Sequence, residues 1–454
     1  MPRTQRTAAR ASVLFRLLPV FLVVCFAALV ALPVQAHHSP DHCVGKDRRT
    51  GRCTPEPTAP AATATPTIAP ITPPSVVAPA EMTATPIPTL PPTSTLPATA
   101  THTSTPTPTA TMAASATASA TATTASPQPT STPTTRTTLR KDFGVNVAGA
   151  EFGEHALPGA LWVNYLYPVE ATRSAYFAGK GQTLLRLPFR WERVQHSAYG
   201  PLVEQDIAGM RAFLDMAHAS GQQVILDLHN YGRYYGAALT RADAAKLADV
   251  WAKLAQTFRG HPALYGYELM NEPHDLPEGS DAWASLAQVA TDAIRQHDTT
   301  AWVLVPGYSW QSARFWPENN PTLNVQDPTG RLLYAAHLYF DANYTGTYAH
   351  SYDADGTYPH IGVDRLQPFL HWLESRNARG MLTEYGVPDN DARWNTVLDT
   401  FMAVLQSHPR IQGGTYWAAG PWWGSYPLSV EPRNGQDRPQ MAVLSTYPST
   451  IGGH

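Results

Sequence analysis

Eight short apolar runs, separated by polar or helix-forming stretches, follow one another in the chain from residue 139 onward. Several are continuous in apolar residues, as strands buried on both faces require. The predicted strands are Phe143–Gly149, Thr183–Phe189, Gln223–His229, Ala263–Glu272, Ala301–Gly307, Arg331–Tyr339, Met381–Gly386 and Gly413–Gly420. Because strands that alternate with helices form parallel sheets, eight such units predict an α/β fold, a closed (β/α)8 TIM barrel.

Two of the intervening segments have clear helical periodicity. The first places Ile207, Met210, Leu214 and Ala217 on one face, and Gly221 is expected to cap its C-terminus. The second places Trp283, Leu286, Ala290 and Ile294 on one face, and Ser280 is expected to be its N-cap. No glycine-rich phosphate loop follows the first strand, which argues against a dinucleotide-binding fold.

The first 36 residues have the organisation of a signal peptide. Arg3, Arg6 and Arg10 precede an apolar run that begins at Leu17. The small residue Ala36 predicts cleavage there. The apolar run is nearly long enough to span a bilayer, so an uncleaved anchor is the alternative. We therefore expect a secreted protein, which would be tethered to the cell surface if this segment were retained.

A polar stub and a low-complexity segment separate the signal from the barrel. The stub, residues 37–53, contains Cys43 and Cys53, which predict a disulfide in an exported chain. Residues 54–138 consist mainly of Thr, Pro, Ala and Ser with almost no charge. Their apolar groups are too few to offset the entropy of ordering, so we expect a disordered linker. The folded domain is expected at residues 139–454.

Polar side chains are found at or near the C-terminal ends of these strands, where active sites lie in (β/α)8 barrels. They are Arg186, His229, Asn271, Glu272, His337, Tyr339, Glu384 and Trp417. One such residue is explained equally well as a structural ion pair or hydrogen-bonding group. A whole ring of them is not, because barrel strands are otherwise buried and apolar. Two facing carboxylates cleave glycosidic bonds, one as the acid and the other as nucleophile or base.

The segments LRLPF, DLHNY, MNEPHD, AHLYFD, LTEYG and TYWAAG occur in this order. Together they resemble glycoside hydrolase family 5, and the resemblance covers essentially the whole domain. GVNVAGAEFG, DLHNY and NEPHD are similar to the fungal-type endoglucanase branch. The resemblance implies that Glu272 is the general acid/base and Glu384 the nucleophile of a retaining mechanism. Retention predicts carboxyl groups about 5–5.5 Å apart, with no metal or other cofactor.

The resemblance also implies residues that bind and orient the sugar. Asn271 is expected to hydrogen-bond the sugar 2-hydroxyl, and Trp417 to stack beneath the ring. His229 and His337 are expected to position the sugar and to tune the carboxylates.

The two glutamates are expected to have different surroundings. Arg186 and the Tyr339 hydroxyl should favour the ionised form of Glu384, as a nucleophile requires. Glu272 should have the less compensated environment, because the acid must keep its proton.

Aromatic residues are dense at the expected rim, where they would pack on the apolar faces of sugar rings. The candidates are Trp191, Tyr231, Tyr234, Trp310, Trp422 and Trp423. Ordinary core packing is the alternative for each of them. The predicted activity is endo-β-1,4-glucanase on cellulose or related β-glucans. A β-mannanase, a mixed-linkage glucanase and a non-catalytic carbohydrate-binding barrel remain alternatives.

The charge of the chain limits its partners. A formal net charge of -3 gives no basic footprint for nucleic acid. We therefore expect a polysaccharide partner, a monomer, and membrane contact only through an uncleaved signal segment.

Overall fold

The computed structural model describes residues 140–450, and these contain ten strands. The strands are β1 (Asp142–Val147), β2 (Leu184–Phe189), β3 (Gln223–Leu228), β4 (Arg233–Tyr234), β5 (Ala237–Ala238), β6 (Leu264–Glu268), β7 (Trp302–Pro306), β8 (Leu332–Tyr339), β9 (Gly380–Gly386) and β10 (Ile411–Ala419). Eight of them close into a parallel barrel in the order β1-β10-β9-β8-β7-β6-β3-β2. The pair β4–β5 is a small antiparallel hairpin. The predicted (β/α)8 barrel is thus confirmed.

Helices follow the barrel strands, as the periodicity predicted. They are α1 (Ala171–Gly179), α2 (Trp191–Val194), α3 (Glu204–Ala219), α4 (Ala244–Phe258), α5 (Gly279–Arg295), α6 (Trp316–Asn319), α7 (Ile361–Ser375), α8 (Arg393–Ser407) and α9 (Pro439–Leu444). The prediction that Ser280 caps α5 is wrong. The N-cap position is Glu278, and Ser280 lies inside the first turn. Among residues 140–450 we find no helix whose length and apolar character would let it cross a bilayer.

The fourth barrel strand is shorter than predicted. Strand β6 ends at Glu268, so Asn271 and Glu272 lie beyond it. The backbone N–H of Asn271 donates to Leu228 O at 2.7 Å, and its carbonyl accepts from the N–H of Tyr231 at 3.0 Å. These bonds draw the segment toward the end of β3 instead of extending β6.

Two layers of side chains fill the barrel. One apolar cluster joins six neighbouring strands: Leu184, Ile225, Tyr265, Leu304, Leu333, Ala335 and Met381. Side chains two residues further along a strand point to the same face. Two residues beyond Leu184 and Ile225 lie Arg186 and Asp227, both fully buried. A polar layer therefore rests on the apolar one, toward the end of the barrel where the candidate site lies.

The signal segment (1–36), the stub with Cys43 and Cys53 (37–53) and the linker (54–138) lie outside the described residues. Their predictions stay predictions.

Candidate active site

Arg186 is the centre of the buried polar layer. Its guanidinium contacts Asn146 at 2.8 Å, Asp227 at 2.9 Å, Glu268 at 2.6 Å, Asn271 at 2.9 Å and Glu384 at 3.0 Å. Every nitrogen of the guanidinium is engaged, so this residue binds its neighbours rather than a ligand. Arg186, which the sequence placed in the ring of candidate site residues, is therefore a structural residue and not one that binds substrate.

The charges of this layer are strongly coupled. Burial alone lowers the pKa of the Arg186 guanidinium, but Asp227, Glu268 and Glu384 outweigh it and raise that pKa above its ordinary value. Burial raises the pKa of Asp227 well above its usual range, with Arg186 opposing the rise. One cation faces three carboxylates here, and the negative charges of Glu268 and Glu384 add to the rise in the pKa of Asp227.

A hydrogen-bonded chain fixes Asn271. His229 Nδ1 lies 2.7 Å from Asp227 Oδ2, and Asn271 Nδ2 lies 3.3 Å from His229 Nε2. The Asn271 oxygen accepts from Arg186. Since the amide nitrogen donates to Nε2, the network assigns the His229 proton to Nδ1, facing Asp227. Asn271 is thus held from both ends of its amide.

Glu272 has a left-handed backbone with φ of 43°. This conformation is uncommon for a residue with a side chain. The Glu272 N–H donates to Gln311 Oε1 at 2.7 Å, and Gln311 Nε2 donates to Glu268 at 3.0 Å and to Ala335 O at 3.1 Å. Gln311 is fully buried, so it ties the backbone of Glu272 to the barrel wall.

The two candidate catalytic carboxylates face each other across His337. His337 Nδ1 lies 2.8 Å from Glu272 Oε1 and 3.6 Å from Glu384 Oε2. One ligand atom from each of the three residues lies within 4.8 Å of the others. Sequence reasoning placed these residues at three different strand ends, and the fold brings them together.

The surroundings of the two glutamates differ. Glu384 accepts from Arg186 at 3.0 Å and from the Tyr339 hydroxyl at 2.9 Å. Glu272 Oε1 pairs with the His337 imidazole. The ring of Tyr339 packs directly against Gly346. A Cβ at position 346 would lie only 2.7 Å from this ring, so the contact requires glycine. A fixed cation and a phenol therefore surround Glu384, whereas Glu272 has an imidazole.

Glu272, His337 and Glu384 are also the one set of side chains in the described part of the chain that could ligate a metal ion. A cation there would lie close to the guanidinium of Arg186, which is 3.0 Å from Glu384. That fixed positive charge disfavours a metal, because like charges repel strongly in a buried site.

Aromatic side chains surround these carboxylates. Trp417 stacks on His229 at 5.8 Å between ring centroids, and Tyr231 meets His229 edge-on at 5.3 Å. Trp310 stacks on His274 at 4.4 Å. Trp310 also lines a cavity of about 210 Å³ together with Glu272. The other lining residues include Phe315, His337, Tyr339 and Tyr344.

Two further aromatics extend the site outward past β10. Trp423 meets Trp417 edge-on at 5.6 Å, and its indole donates to Ala419 O at 2.9 Å. Trp422 is 43% exposed and stacks on Phe152 at 6.3 Å.

The prediction that Trp191 binds substrate is wrong. Its side chain is 0% exposed, and its indole donates to Gln195 at 3.0 Å. Its ring packs on Tyr234 at 4.6 Å. Trp191 therefore belongs to the hydrophobic core, and Tyr234 packs on it from the loop after β3.

Sequence reasoning missed Asp227, Glu268, Gln311 and Phe152. Asp227 and Glu268 are acids inside otherwise apolar strands, a pattern that indicates a buried cation partner. Gln311 and Phe152 lie in loops that have no periodic signal.

The fold and this pair of carboxylates define a (β/α)8-barrel glycoside hydrolase. The model of the Cellulase family, glycosyl hydrolase family 5, matches residues 141–421. The chain therefore belongs to that family, and the resemblance seen in the sequence is confirmed.

Individual relatives agree with this assignment. Endo-beta-1,4-glucanase A of Emericella nidulans is 32% identical over 295 residues, which are 64% of this chain and 87% of the relative. The structure of Pseudomonas stutzeri endoglucanase Cel5A with cellobiose is 41% identical, with a TM-score of 0.63 over 68% of this chain and 92% of its own. The endo-beta-1,4-glucanase Xac0029 of Xanthomonas axonopodis pv. citri is 36% identical, with a TM-score of 0.64 over 69% and 99%.

Proposed function

We propose that this protein is a retaining endo-β-1,4-glucanase in which Glu384 is the nucleophile and Glu272 the general acid/base. The observation that carries the proposal is the approach of the two carboxylates, with oxygens within 4.8 Å of each other. Retaining enzymes hold their carboxyl groups about 5–5.5 Å apart, whereas inverting enzymes need about 6.5–9.5 Å to admit a water molecule.

In the first step, Glu384 attacks the anomeric carbon and Glu272 gives its proton to the leaving oxygen. The C–O bond to the leaving sugar breaks as the glycosyl-ester bond to Glu384 forms. In the second step, Glu272 takes a proton from water, which attacks the same carbon and releases Glu384. The β configuration is restored, because each step inverts the carbon once.

The hydrogen bonds fit these roles. Arg186 and Tyr339 both contact the Glu384 carboxylate, so they stabilise its ionised form before attack. His337 contacts both glutamates, so its imidazole can keep a hydrogen bond to Glu272 while the proton moves between Glu272 and substrate. Asn271 is held on both sides of its amide and would meet the sugar 2-hydroxyl, while Trp417 would lie beneath the ring.

The cavity beside Glu272 would receive the leaving sugar. Because the acid must face the leaving oxygen, the aglycone lies on the Glu272 side, where Trp310 lines the wall. The Trp422 and Trp423 side, beyond Trp417, would then hold the glycone. Sugar-binding aromatic residues on both sides of the carboxylates would allow attack at internal bonds.

The substrate assignment rests on the names of the relatives, which are endoglucanases. Rates on carboxymethyl cellulose, lichenan and mannan test it. We expect the highest rates on the β-1,4-glucan. Strong hydrolysis of mannan with none of cellulose derivatives would contradict the proposal and favour a β-mannanase, and turnover of lichenan alone would favour a mixed-linkage enzyme.

Azide rescue tests the two roles separately. Glu384→Ala should lose activity and recover with azide to give the α-glycosyl azide, because azide replaces the nucleophile. Glu272→Ala should keep cleavage of a dinitrophenyl cellobioside and give the β-glycosyl azide. The opposite pairing would reverse the roles, and release of the α-anomer by the wild type would require inversion.

Secretion and a monomeric state complete the proposal. N-terminal sequencing of the protein released from an exporting host should begin at His37, and light scattering should give the mass of one chain. Material that stays with the membrane and keeps Met1 would instead show an anchored enzyme.

A further inference from the structure

The exposed large hydrophobic residues among residues 140–450 are not scattered. They are Trp162, Val163, Val169, Tyr199, Tyr235, Tyr358 and Trp422. All lie in loops that follow barrel strands, at the end of the barrel that carries the active site. Six of the seven follow four adjacent strands, β10, β1, β2 and β3. Tyr358 alone lies elsewhere, in the loop after β8.

The largest exposure is at the tip of the loop between β1 and α1. Trp162 is 64% exposed and its neighbour Val163 is 74% exposed. Trp162 has a φ of 67°, which is a genuine outlier for a bulky residue and has to be maintained by its surroundings. Two adjacent apolar side chains that are exposed to solvent, one of them on a strained backbone, indicate an interaction surface.

Hydrogen bonds hold this tip in place. The N–H of Trp162 donates to Tyr165 O at 2.7 Å, and the N–H of Val163 donates to Ala160 O at 3.1 Å. The Asn164 side chain closes the turn by accepting from the N–H of Ala160 at 2.9 Å. The tip is therefore a hydrogen-bonded turn.

Arg193 fastens the same loop to the barrel. Its buried guanidinium donates to Ala150 O at 2.6 Å, to Pro158 O at 3.0 Å and to Phe152 O. It also lies 3.9 Å from the ring centroid of Tyr165. A loop fixed in this way presents Trp162 and Val163 in a preorganised position, which lowers the entropy cost of binding.

Aromatic contacts connect this loop with the cleft. Phe152, in the same loop, stacks on Trp422 at 6.3 Å and meets Trp423 edge-on at 4.9 Å. Trp423 in turn contacts Trp417, which covers His229. A continuous row of rings thus runs from the carboxylates to the loop that carries the Trp162 tip.

We propose that Trp162 and Val163, together with Trp422, form a docking surface for insoluble β-1,4-glucan next to the cleft mouth. The inference rests on the proposed glucanase function. The faces of packed glucan chains are arrays of pyranose rings with apolar C–H groups, which fit exposed aromatic and aliphatic side chains. Docking beside the cleft would raise the local concentration of chain available to Glu272 and Glu384, without changing the chemistry.

The test compares the full wild-type chain with Trp162→Ala/Val163→Ser. Adsorption to microcrystalline cellulose at 4 °C should weaken about fivefold or more, because full burial of one large apolar side chain contributes about one to two orders of magnitude in affinity and a surface contact buries only part of it. Sugar release from microcrystalline cellulose should fall in parallel. The kcat/KM for soluble cellopentaose should be unchanged.

Tyr358→Ala is the matched control, because Tyr358 is an exposed aromatic on the same rim but away from this surface. Tyr358→Ala should leave adsorption unchanged.

Unchanged adsorption of the double variant would overturn the proposal. An equal loss of kcat/KM on cellopentaose would also overturn it, because it would place the tip inside the cleft. If the wild type were a dimer and the double variant a monomer, the surface would be assigned to self-association instead. If the wild type failed to cleave any soluble glucan, the glucanase proposal would fail. The adsorption comparison would still show whether Trp162 and Val163 bind insoluble glucan.

Discussion

The phenolic hydroxyl of Tyr339 donates a hydrogen bond to Oε2 of Glu384 at 2.9 Å. The two residues lie on the adjacent strands β8 and β9, two residues out of register, since Glu384 pairs with His337 and Tyr339 pairs with Gly386. The phenol therefore meets a carboxylate whose other oxygen is bound by Arg186. Glu384 is held on both oxygens, which fixes the direction of its attack.

Tyr339→Phe should lower kcat by about 10- to 100-fold, because a hydrogen bond to a charged group contributes about 1.5–3 kcal/mol. The ring remains, so packing against Gly346 is kept and the fold should survive. Steady-state kinetics on cellopentaose, with a thermal unfolding curve for each protein, check this prediction.

Tyr385→Phe is the control for this prediction. Tyr385 lies next to Glu384 in β9 and is buried, but its hydroxyl has no hydrogen-bond partner within residues 140–450. Its loss should leave kcat unchanged. Equal effects of the two variants would show that Tyr339 acts through packing and not through its hydroxyl.

Gln311→Leu should impair the acid step more than the nucleophilic step. Gln311 accepts the backbone N–H of Glu272, so its loss would release the left-handed conformation that aims the carboxyl group. We expect kcat on cellopentaose to fall about 10- to 100-fold, since misplacing a catalytic group has costs of this size. Cleavage of dinitrophenyl cellobioside should fall much less, because that leaving group needs no proton.

Gln182→Leu provides the comparison for Gln311→Leu. Gln182 is equally buried but lies before β2, where its amide donates to Leu444 O at 2.9 Å. It should lower stability without making the rate depend on the leaving group. A loss in Gln311→Leu that is the same for both substrates would contradict the positioning role.

The sequence predicted the parts of this site that end recognisable strands. Glu384 lies near the end of β9 and Glu272 lies four residues beyond β6, and each follows an apolar run that the sequence identifies as a strand. Gln311 was missed because a loop glutamine gains its role only when the fold brings it against Glu272. Trp191 was misassigned because its place after β2 suggested the rim, whereas the loop after β3 brings Tyr234 against it. Tertiary contacts, which no local pattern encodes, decided both cases.

Arg186→Lys should destabilise the barrel strongly. A lysine ammonium keeps the positive charge but cannot reproduce the five contacts of a planar guanidinium, so buried carboxylate and amide oxygens would lose hydrogen bonds. The free energy of unfolding should fall by about 3 kcal/mol or more, since at least two hydrogen bonds to charged groups are lost and each contributes about 1.5–3 kcal/mol. Urea unfolding measures this free energy.

Arg393→Lys is the control. Arg393 forms exposed ion pairs with Asp353 and Asp391, so its replacement should leave stability unchanged. If Arg186→Lys were as stable as Arg393→Lys, the five contacts of Arg186 would not stabilise the fold.

Glu151→Gln should change how stability depends on pH. Burial raises the pKa of Glu151 from 4.5 to about 7, although the N–H of Gly149 and the charges of Arg190 and Arg193 oppose the rise. Between these two pH values the folded protein holds a proton that the unfolded chain has lost. The contribution of Glu151 to the stability of the wild type should therefore be largest below about pH 4.5 and fall by up to about 3 kcal/mol as the pH rises to 7.

Glutamine is neutral throughout this range and can still accept from the N–H of Gly149, so this loss should be absent from Glu151→Gln. Urea unfolding of both proteins at pH 4.5 and 7 gives the difference in free energy of unfolding between variant and wild type at each pH. The titration of all other groups cancels in this difference. The advantage of the variant should be near zero at pH 4.5 and grow toward pH 7. Glu204→Gln, at an exposed carboxylate in the first turn of α3, should show no such growth. If the difference between Glu151→Gln and wild type were the same at both pH values, Glu151 would be ionised in the folded protein over the whole range.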